Sequence, residues 1–333
     1  MTSRRDLSKI SEPVFISAMH ISVIVCTHNP RPDYLARVLA ALRAQTLPLA
    51  DWELLLVDNA SKEPLAGRID LAWHPHARHL REDKTGLTHA RLCGIAESQG
   101  ELLVFVDDDN VLRGDYLQAA LKISANHPWL GAWGGSCLAE FEVEPPVELR
   151  PWLAGLVIEK LTASIWAKLK HGSEACPSGA GMVVRRKQAL HYRELVLHDP
   201  IRQALDRRGK ALGGGGDTDL ALCGQELGLG TGRFPELELI HLIPAQRLTL
   251  EYLEGIHAGF GYSGVVMSRI YQAGQVPGKI PLGNLRLVLL NLLLLASRKS
   301  RAERRIRLAQ EKGQLRAQQD FAQGQCRPSA PNG

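Results

Sequence analysis

Apolar residues in this chain come in short unbroken runs, each stopped by a cluster of polar side chains. The first three strong runs are Ile21-Ser-Val-Ile-Val-Cys26, Trp52-Glu-Leu-Leu-Leu-Val57 and Leu102-Leu-Val-Phe-Val106. Runs of that length, rich in Val, Ile and Leu, predict strands buried on both faces of a sheet. Between the first two, Pro30 and Pro32 halt the strand, and Leu35, Val38, Leu39 and Leu42 then recur at helical spacing behind Asp33, the expected N-cap. Strand, helix, strand predicts a right-handed parallel crossover that leaves both polar strand ends on one sheet edge. His79-Leu-Arg81 adds a short strand, and Gly86 to Ala96 a helix packed through small residues.

The second half is less regular. Strands are expected within Ala132–Glu144, over Ser178–Val184, entered through glycines, and over Glu236–Ile243 up to Pro244. Trp152–Lys170 reads as helix or lid, and a helix from Asp217 to Glu226 follows four glycines at 213–216, a flexible stretch over a binding site. Beyond Thr249 the pattern turns helical, then apolar at 285–296, then basic. The expected organisation is a leader over 1–19, an α/β domain over 20–250 with a mixed sheet flanked by helices, and a C-terminal helical extension over 251–333. Met19 directly precedes the first strand and is an expected alternative start.

Composition narrows the class. The 333 residues are 45% hydrophobic and 23% charged, as in a soluble globular protein. The net charge of +5 is concentrated: Ser297–Arg316 holds eight basic residues against two acids, leaving the remainder near neutral. That argues against nucleic acid as a partner of the main domain and leaves a membrane-surface or protein contact for the tail through 284–316. Six scattered cysteines lack Cys-x-x-Cys spacing and suit a reducing compartment. Neither a secretory signal nor the ~20-residue apolar run of a spanning helix is evident. His74, His76 and His79 are expected at the surface.

The third run ends in Asp107-Asp108-Asp109. In extended backbone, side chains two apart point the same way, so Asp107 and Asp109 can share one target. Adjacent carboxylates repel unless a cation neutralises them, and a hard divalent ion bridging to a phosphate would do so. Turn chemistry alone also explains such a tripeptide. An EF-hand is excluded, because Val111 stands where that loop needs an oxygen ligand.

Taken in order, Ser22-Val-Ile-Val-Cys-Thr-His-Asn29, Leu56-Val-Asp-Asn-Ala-Ser61, Gly86-Leu-Thr-His-Ala-Arg91, Phe105-Val-Asp-Asp-Asp109, Gly216-Asp-Thr-Asp-Leu220 and His241-Leu-Ile-Pro244 resemble the family 2 glycosyltransferases of the GT-A fold, over about 20–250. The resemblance implies inverting sugar transfer from a nucleotide-sugar donor, with a UDP-sugar favoured. A glycan or lipid-linked acceptor in polysaccharide or cell-envelope assembly follows, with Mn2+ or Mg2+, in the cytoplasm or at the inner face of the membrane. It places Thr27, Asn29 and Asp58 on the nucleotide base, Arg91, Asp107 and Asp108 along the nucleotide, and Asp109 with His241 on the metal. Asp217 is the implied base, with Asp219 as competitor; Gly216 stands where many members carry Glu. Each has a plainer reading: Asp58 in an Asx turn, Arg91 in a surface ion pair, Asp217 as a helix cap, His241 as a core residue. The competing functions are a catalytically degenerate nucleotide- or glycan-binding scaffold and a sugar-phosphate nucleotidyltransferase. Against the latter, Cys26-Thr-His-Asn-Pro lacks the Gly-rich basic loop that it needs.

Overall fold

The computed structural model describes residues 19–168, 174–203, 205, 213–271, 283–296 and 299–323, so the expected leader over 1–19 lies, but for Met19, outside the described residues. The chain opens with β1 (Ile21–Thr27), α1 (Pro32–Arg43), β2 (Trp52–Asn59), β3 (Ala77–Glu82), α2 (Leu87–Glu97) and β4 (Leu102–Asp107). It continues with β5 (Asn110–Leu112), α3 (Tyr116–Asn126), β6 (Leu130–Phe141), a 3-10 segment (Val147–Leu156), β7 (Ile165–Ala167) and β8 (Val183–Arg185). Then come α4 (Arg186–His198), α5 (Pro200–Gln203), α6 (Gly216–Leu222), β9 (Gly230–Ile243), α7 (Leu250–Tyr271), α8 (Gly283–Ala296) and α9 (Arg301–Ala322).

These strands form one sheet in the order β3-β2-β1-β4-β8-β6-β9-β5, with β7 paired to β9. The first four strands are parallel; β8 runs antiparallel between β4 and β6. This is the mixed α/β fold expected for a GT-A chain. Both faces are covered. Ile21, Val23 and Val25 pack with Leu35, Val38 and Leu42 of α1 and with Tyr116 and Leu117 of α3. Ile24, Leu55, Val57 and Phe105 pack instead with Ile95 of α2, Tyr192 of α4 and Leu220 of α6. Two polar residues inside the runs satisfy each other: Ser22 Oγ donates to buried Glu53 Oε1 at 2.6 Å, and Arg78 Nη2 reaches Glu53 Oε2 at 3.1 Å.

Several local expectations change. Arg31 is the N-cap of α1 with Pro32 in the first turn, where its missing N–H costs nothing, and Asp33 pairs back onto Arg31 at 2.7 Å. Residues 178–182 do not form strand; β8 begins at Val183. The strand expected over Glu236–Ile243 starts six residues earlier, at Gly230, so β9 includes the glycines at 230 and 232. Of the described part of Trp152–Lys170, only the start to Leu156 is helical, in the 3-10 segment whose Leu149, Leu153 and Leu156 pack on Leu253 and Ile256 of α7, and β7 follows.

The extension closes on itself and on the sheet domain. α7 and α9 cross with backbones in contact: a Cβ on Gly261 would lie 2.0 Å from the Gln310 carbonyl oxygen, and one on Gly313 1.9 Å from that of Ala258. Arg305 Nη2 donates to Glu254 Oε2 at 2.7 Å, and Tyr262 to Asp320 at 3.0 Å. Part of the tail's basicity is thus spent on helix pairing.

His74 is buried, not at the surface, because Trp52 at the start of β2 offers a ring edge 4.1 Å from it between centroids. Its Nδ1 accepts the His76 N–H at 3.1 Å, so the proton resides on Nε2. Burial, aided by the nearby His76, lowers its pKa to about 4. The unfolded chain therefore binds a proton here near pH 6.5 that the native state refuses. This contribution to stability is complete above pH 6.5 and is lost as pH falls toward 4. Denaturant unfolding should show up to about 3 kcal/mol of such loss, and His74→Phe should flatten the difference between pH 7 and pH 4.5.

Candidate active site

The parallel half of the sheet delivers its polar ends together, with Thr27 in register with Asp58 and Cys26 with Asp107. After Asp107 the chain turns through Asp108 and Asp109 and re-enters the sheet as β5, antiparallel to β9, with Asn110 opposite His241. The Leu242 N–H donates to the Asp109 carbonyl at 2.9 Å, which clamps that turn onto β9. Backbone pairing therefore brings a histidine far along the chain to the acidic turn.

Cys26, Thr27, Asp107, Asp108, Asp109 and His241 line one cavity of about 790 Å3, whose walls also include Arg91 of α2, Gly179, Asp217 of α6, Arg247, and Phe260 and Met267 of α7. Three carboxylates from the β4 turn and the carboxylate of Asp217 thus share a cleft. Thr27 donates its hydroxyl to Asp108. Burial, then the charges of Asp109 and Asp107, push Asp108 up to about 7 against that hydrogen bond and Arg247. The three acids do not carry three full charges at neutral pH.

Asp109 is buried and held from two sides. Its Oδ1 accepts the Asn110 amide at 2.9 Å; its Oδ2 lies 2.9 Å from Arg247 Nη1 and 3.5 Å from His241 Nε2. His241 Nδ1 donates to the Leu156 carbonyl at 3.1 Å, which leaves a lone pair on Nε2 facing Asp109. A carboxylate oxygen and an imidazole nitrogen at this spacing fit Mn2+ or Mg2+ drawing its remaining ligands from phosphate and water. Among the described residues, no three His, Cys, Asp or Glu side chains form a complete metal site. Arg247 stays charged, because the surrounding carboxylates, Asp109 foremost, outweigh the cost of its burial.

Asp217 and Asp219 separate clearly. Asp217 lines the cavity; its Oδ2 accepts the Gly179 N–H at 2.9 Å and its Oδ1 the Thr218 N–H at 2.8 Å. A Cβ on Gly179 would stand 3.0 Å from Asp217 and 3.1 Å from Arg91 Nη2, so a larger residue there would crowd both groups. Asp219 points away and is fully buried against Arg202 and Tyr271. Burial raises its pKa to about 6 despite both partners.

Two residues expected on the nucleotide base do not line the cavity. Asp58 accepts from the Ser61 N–H at 3.1 Å, the Leu65 N–H at 3.0 Å and Arg81 at 2.7 Å. Burial opposes its ionisation, yet these bonds keep it below the usual carboxylate range. Asn29 bridges loops, receiving the Lys62 N–H on Oδ1 at 2.9 Å. Their neighbours Asn59 and His28 face the cavity instead, with His28 Nδ1 donating to the Asn59 carbonyl at 2.6 Å. Arg247 and the α7 residues went unread in the sequence; the available signal was Pro244, which ends β9 and turns the chain back over its own edge.

Residues 22–150 match the sequence model of glycosyl transferase family 2. That segment is a family 2 glycosyltransferase domain. The succinoglycan biosynthesis protein ExoM of Rhizobium meliloti is 27% identical to this chain, over 79% of it and 75% of ExoM. The glucosyl-dolichyl phosphate glucuronosyltransferase of Haloferax volcanii is 26% identical over 41% of the chain and 45% of that protein. Staphylococcus aureus TarS, residues 1–349, superimposes with a TM-score of 0.48 at 14% identity over 92% of both chains. The matched regions of the curated relatives cover from 12% to 75% of their lengths.

The two aspartates of α6 should behave oppositely when made isosteric and neutral. Asp219→Asn removes the nearest countercharge of buried Arg202, leaving it Asp199 at 3.6 Å and Glu226 at 3.9 Å, and should cost roughly 2–3 kcal/mol of stability. Asp217→Asn keeps one acceptor oxygen for the two N–H groups that the carboxylate receives and, at the open cavity wall, should cost no more than about 1 kcal/mol. Denaturant melts of both variants check this.

Proposed function

We propose that this chain transfers a sugar, with inversion, from a nucleoside diphosphate sugar to a glycan or lipid-linked acceptor hydroxyl, in polysaccharide or cell-envelope assembly. The observation that carries the reading is the placement of Asp217 and the Asp107–Asp109 turn in one cavity. Inversion needs a base on the sugar face opposite the departing diphosphate. Asp217 is the accessible carboxylate for that role, since Asp219 is buried in its ion pair. Its bonds from Gly179 and Thr218 fix the carboxylate, so that it receives the acceptor proton as the hydroxyl oxygen bonds to the anomeric carbon.

Asp109 and His241 would hold Mn2+ or Mg2+, which when bound offsets charge gathering on the departing diphosphate. Asp107 would face the nucleotide, and Arg91 lies beside Gly179 and Asp217 at the wall of the same cleft. A UDP-sugar is the first donor to test. Thr27, His28 and Asn59 line the part of the cavity next to the ends of β1 and β2 and are the groups closest to where its base would enter.

Release of nucleoside diphosphate from a panel of UDP-, GDP- and dTDP-sugars tests the reading. Turnover is expected with a UDP-sugar and Mn2+, lost with chelator, and reduced roughly 10²–10⁴-fold by Asp217→Asn. Tight nucleotide binding with no turnover on any donor would establish a scaffold instead.

The extension supports a contact with an anionic lipid surface, the source of a lipid-linked acceptor. Val288, Leu289, Leu292 and Leu293 form one stripe on α8 and are 52–69% exposed, while Arg301, Arg307 and Lys312 of α9 are exposed nearby in sequence. An apolar stripe flanked by cations suits the boundary of a negatively charged bilayer. No described helix is long and apolar enough to cross a membrane. Co-sedimentation with phosphatidylglycerol vesicles should exceed that with phosphatidylcholine alone and should fall for Leu289→Glu/Leu293→Glu. Equal retention of wild type and variant would remove this contact.

A further inference from the structure

The groups that would hold the metal are already engaged by a cation of the protein's own. Arg247 Nη1 lies 2.9 Å from Asp109 Oδ2 and 3.1 Å from His241 Nε2, so one nitrogen bridges both. The constraint on His241 is strict. Its Nδ1–H is committed to the Leu156 carbonyl, and a neutral imidazole has one lone pair, on Nε2. That lone pair cannot accept from Arg247 and coordinate an ion at once. At Asp109, Oδ1 is held by the Asn110 amide, so Oδ2 is where an arriving ion meets the guanidinium.

The backbone around Arg247 is fixed while its side chain is less so. The 3-10 segment Ala245–Leu248 is anchored by the Ala245 N–H on Glu142 at 2.8 Å, by the Arg247 N–H on the Pro244 carbonyl at 2.9 Å, and by buried Leu248. The Arg247 side chain keeps 22% of its surface and borders the cavity, so it can swing while the turn stays in place.

We propose that Arg247 and a divalent ion compete for Asp109 and His241, so that the free protein takes up metal poorly and loads it together with a nucleoside diphosphate. The diphosphate supplies what the displaced guanidinium needs, an anionic partner suited to paired N–H donors. By linkage, the nucleotide raises metal affinity by the same factor as the metal raises nucleotide affinity. This inference rests on the metal-dependent reading given above.

The test measures protein-bound Mn2+ from loss of the free-ion EPR signal, without nucleotide, for wild type, Arg247→Ala and Arg247→Met, with folding checked by circular dichroism. Removing the competitor should tighten Mn2+ binding roughly ten- to a hundredfold. Adding His241→Ala to Arg247→Ala should abolish that gain. If folded Arg247 variants bind Mn2+ no more tightly than wild type, while wild type with UDP retains Mn2+ beyond UDP alone, competition is wrong and metal dependence stands. If no protein retains Mn2+ with or without UDP, both fall.

Discussion

Three consecutive carboxylates at the mouth of a buried strand are the feature around which the rest of the cleft is arranged. Two unit charges 4 Å apart repel by about 4 kcal/mol at the effective dielectric of a protein surface, so such a turn needs relief. The structure supplies it by different means along the tripeptide. Asp108 takes a hydroxyl from Thr27 and holds its proton up to about pH 7. Asp109 instead lies against the guanidinium of Arg247 at 2.9 Å. That asymmetry makes one carboxylate the natural ligand for a cation and leaves its neighbour a polar, partly neutral wall. The arrangement depends on β5: by reversing the chain directly after Asp109, it makes the acidic turn a neighbour of β9.

The sheet has two parts with different duties. Its parallel part offers strand ends, and it owes its stability to residues buried on both faces, which tolerate polar chemistry at the carboxyl edge alone. Its other part is mixed, with β6 and β9 parallel and β5, β7 and β8 antiparallel to their neighbours, and contributes through register. Asn110 opposite His241 is a pairing of backbones, and the chemistry of Asp109 follows from it. A slip of one residue there would turn His241 to the other face of the sheet.

What could be read in the sequence follows the same division. Unbroken apolar runs announced β1, β2 and β4 because full burial leaves a strong one-dimensional trace, and the family resemblance rested on the polar clusters that end them. Side-chain direction left no such trace. Asp58 and Asn59 are adjacent on the same strand end, yet Asp58 is drawn into the loop by the N–H groups of Ser61 and Leu65, while Asn59 faces the cavity. Asp217 and Asp219 likewise differ because Arg202 and Tyr271, 17 and 52 positions from Asp219, reach that residue through the tertiary fold alone. His74 looked like a surface loop residue because nothing local announces the ring of Trp52. Arg247 escaped notice because an arginine after a proline turn is common, and its meaning lies in the two side chains it bridges.

The helix that carries Asp217 shows why the C-terminal extension matters to the cleft. α6 spans seven residues, too few to hold a helix by its own hydrogen bonds. Gln188 of α4 supports its far end, donating to the carbonyls of Leu220 and Ala221 at 2.6 and 3.1 Å. Its near end is held by Asp219, to which Tyr271 comes from the last residue of α7, donating also near the Asp219 carbonyl at 3.1 Å. α7 in turn is braced by α9 through the glycine crossing at 261 and 313. The carboxylate proposed as the base thus stands on a short helix whose orientation is set from outside the sheet. Phe260 and Met267 of the same α7 close the cavity opposite the strand ends. The extension accordingly does two jobs with one helix, walling the cleft and fixing the angle at which Asp217 meets it.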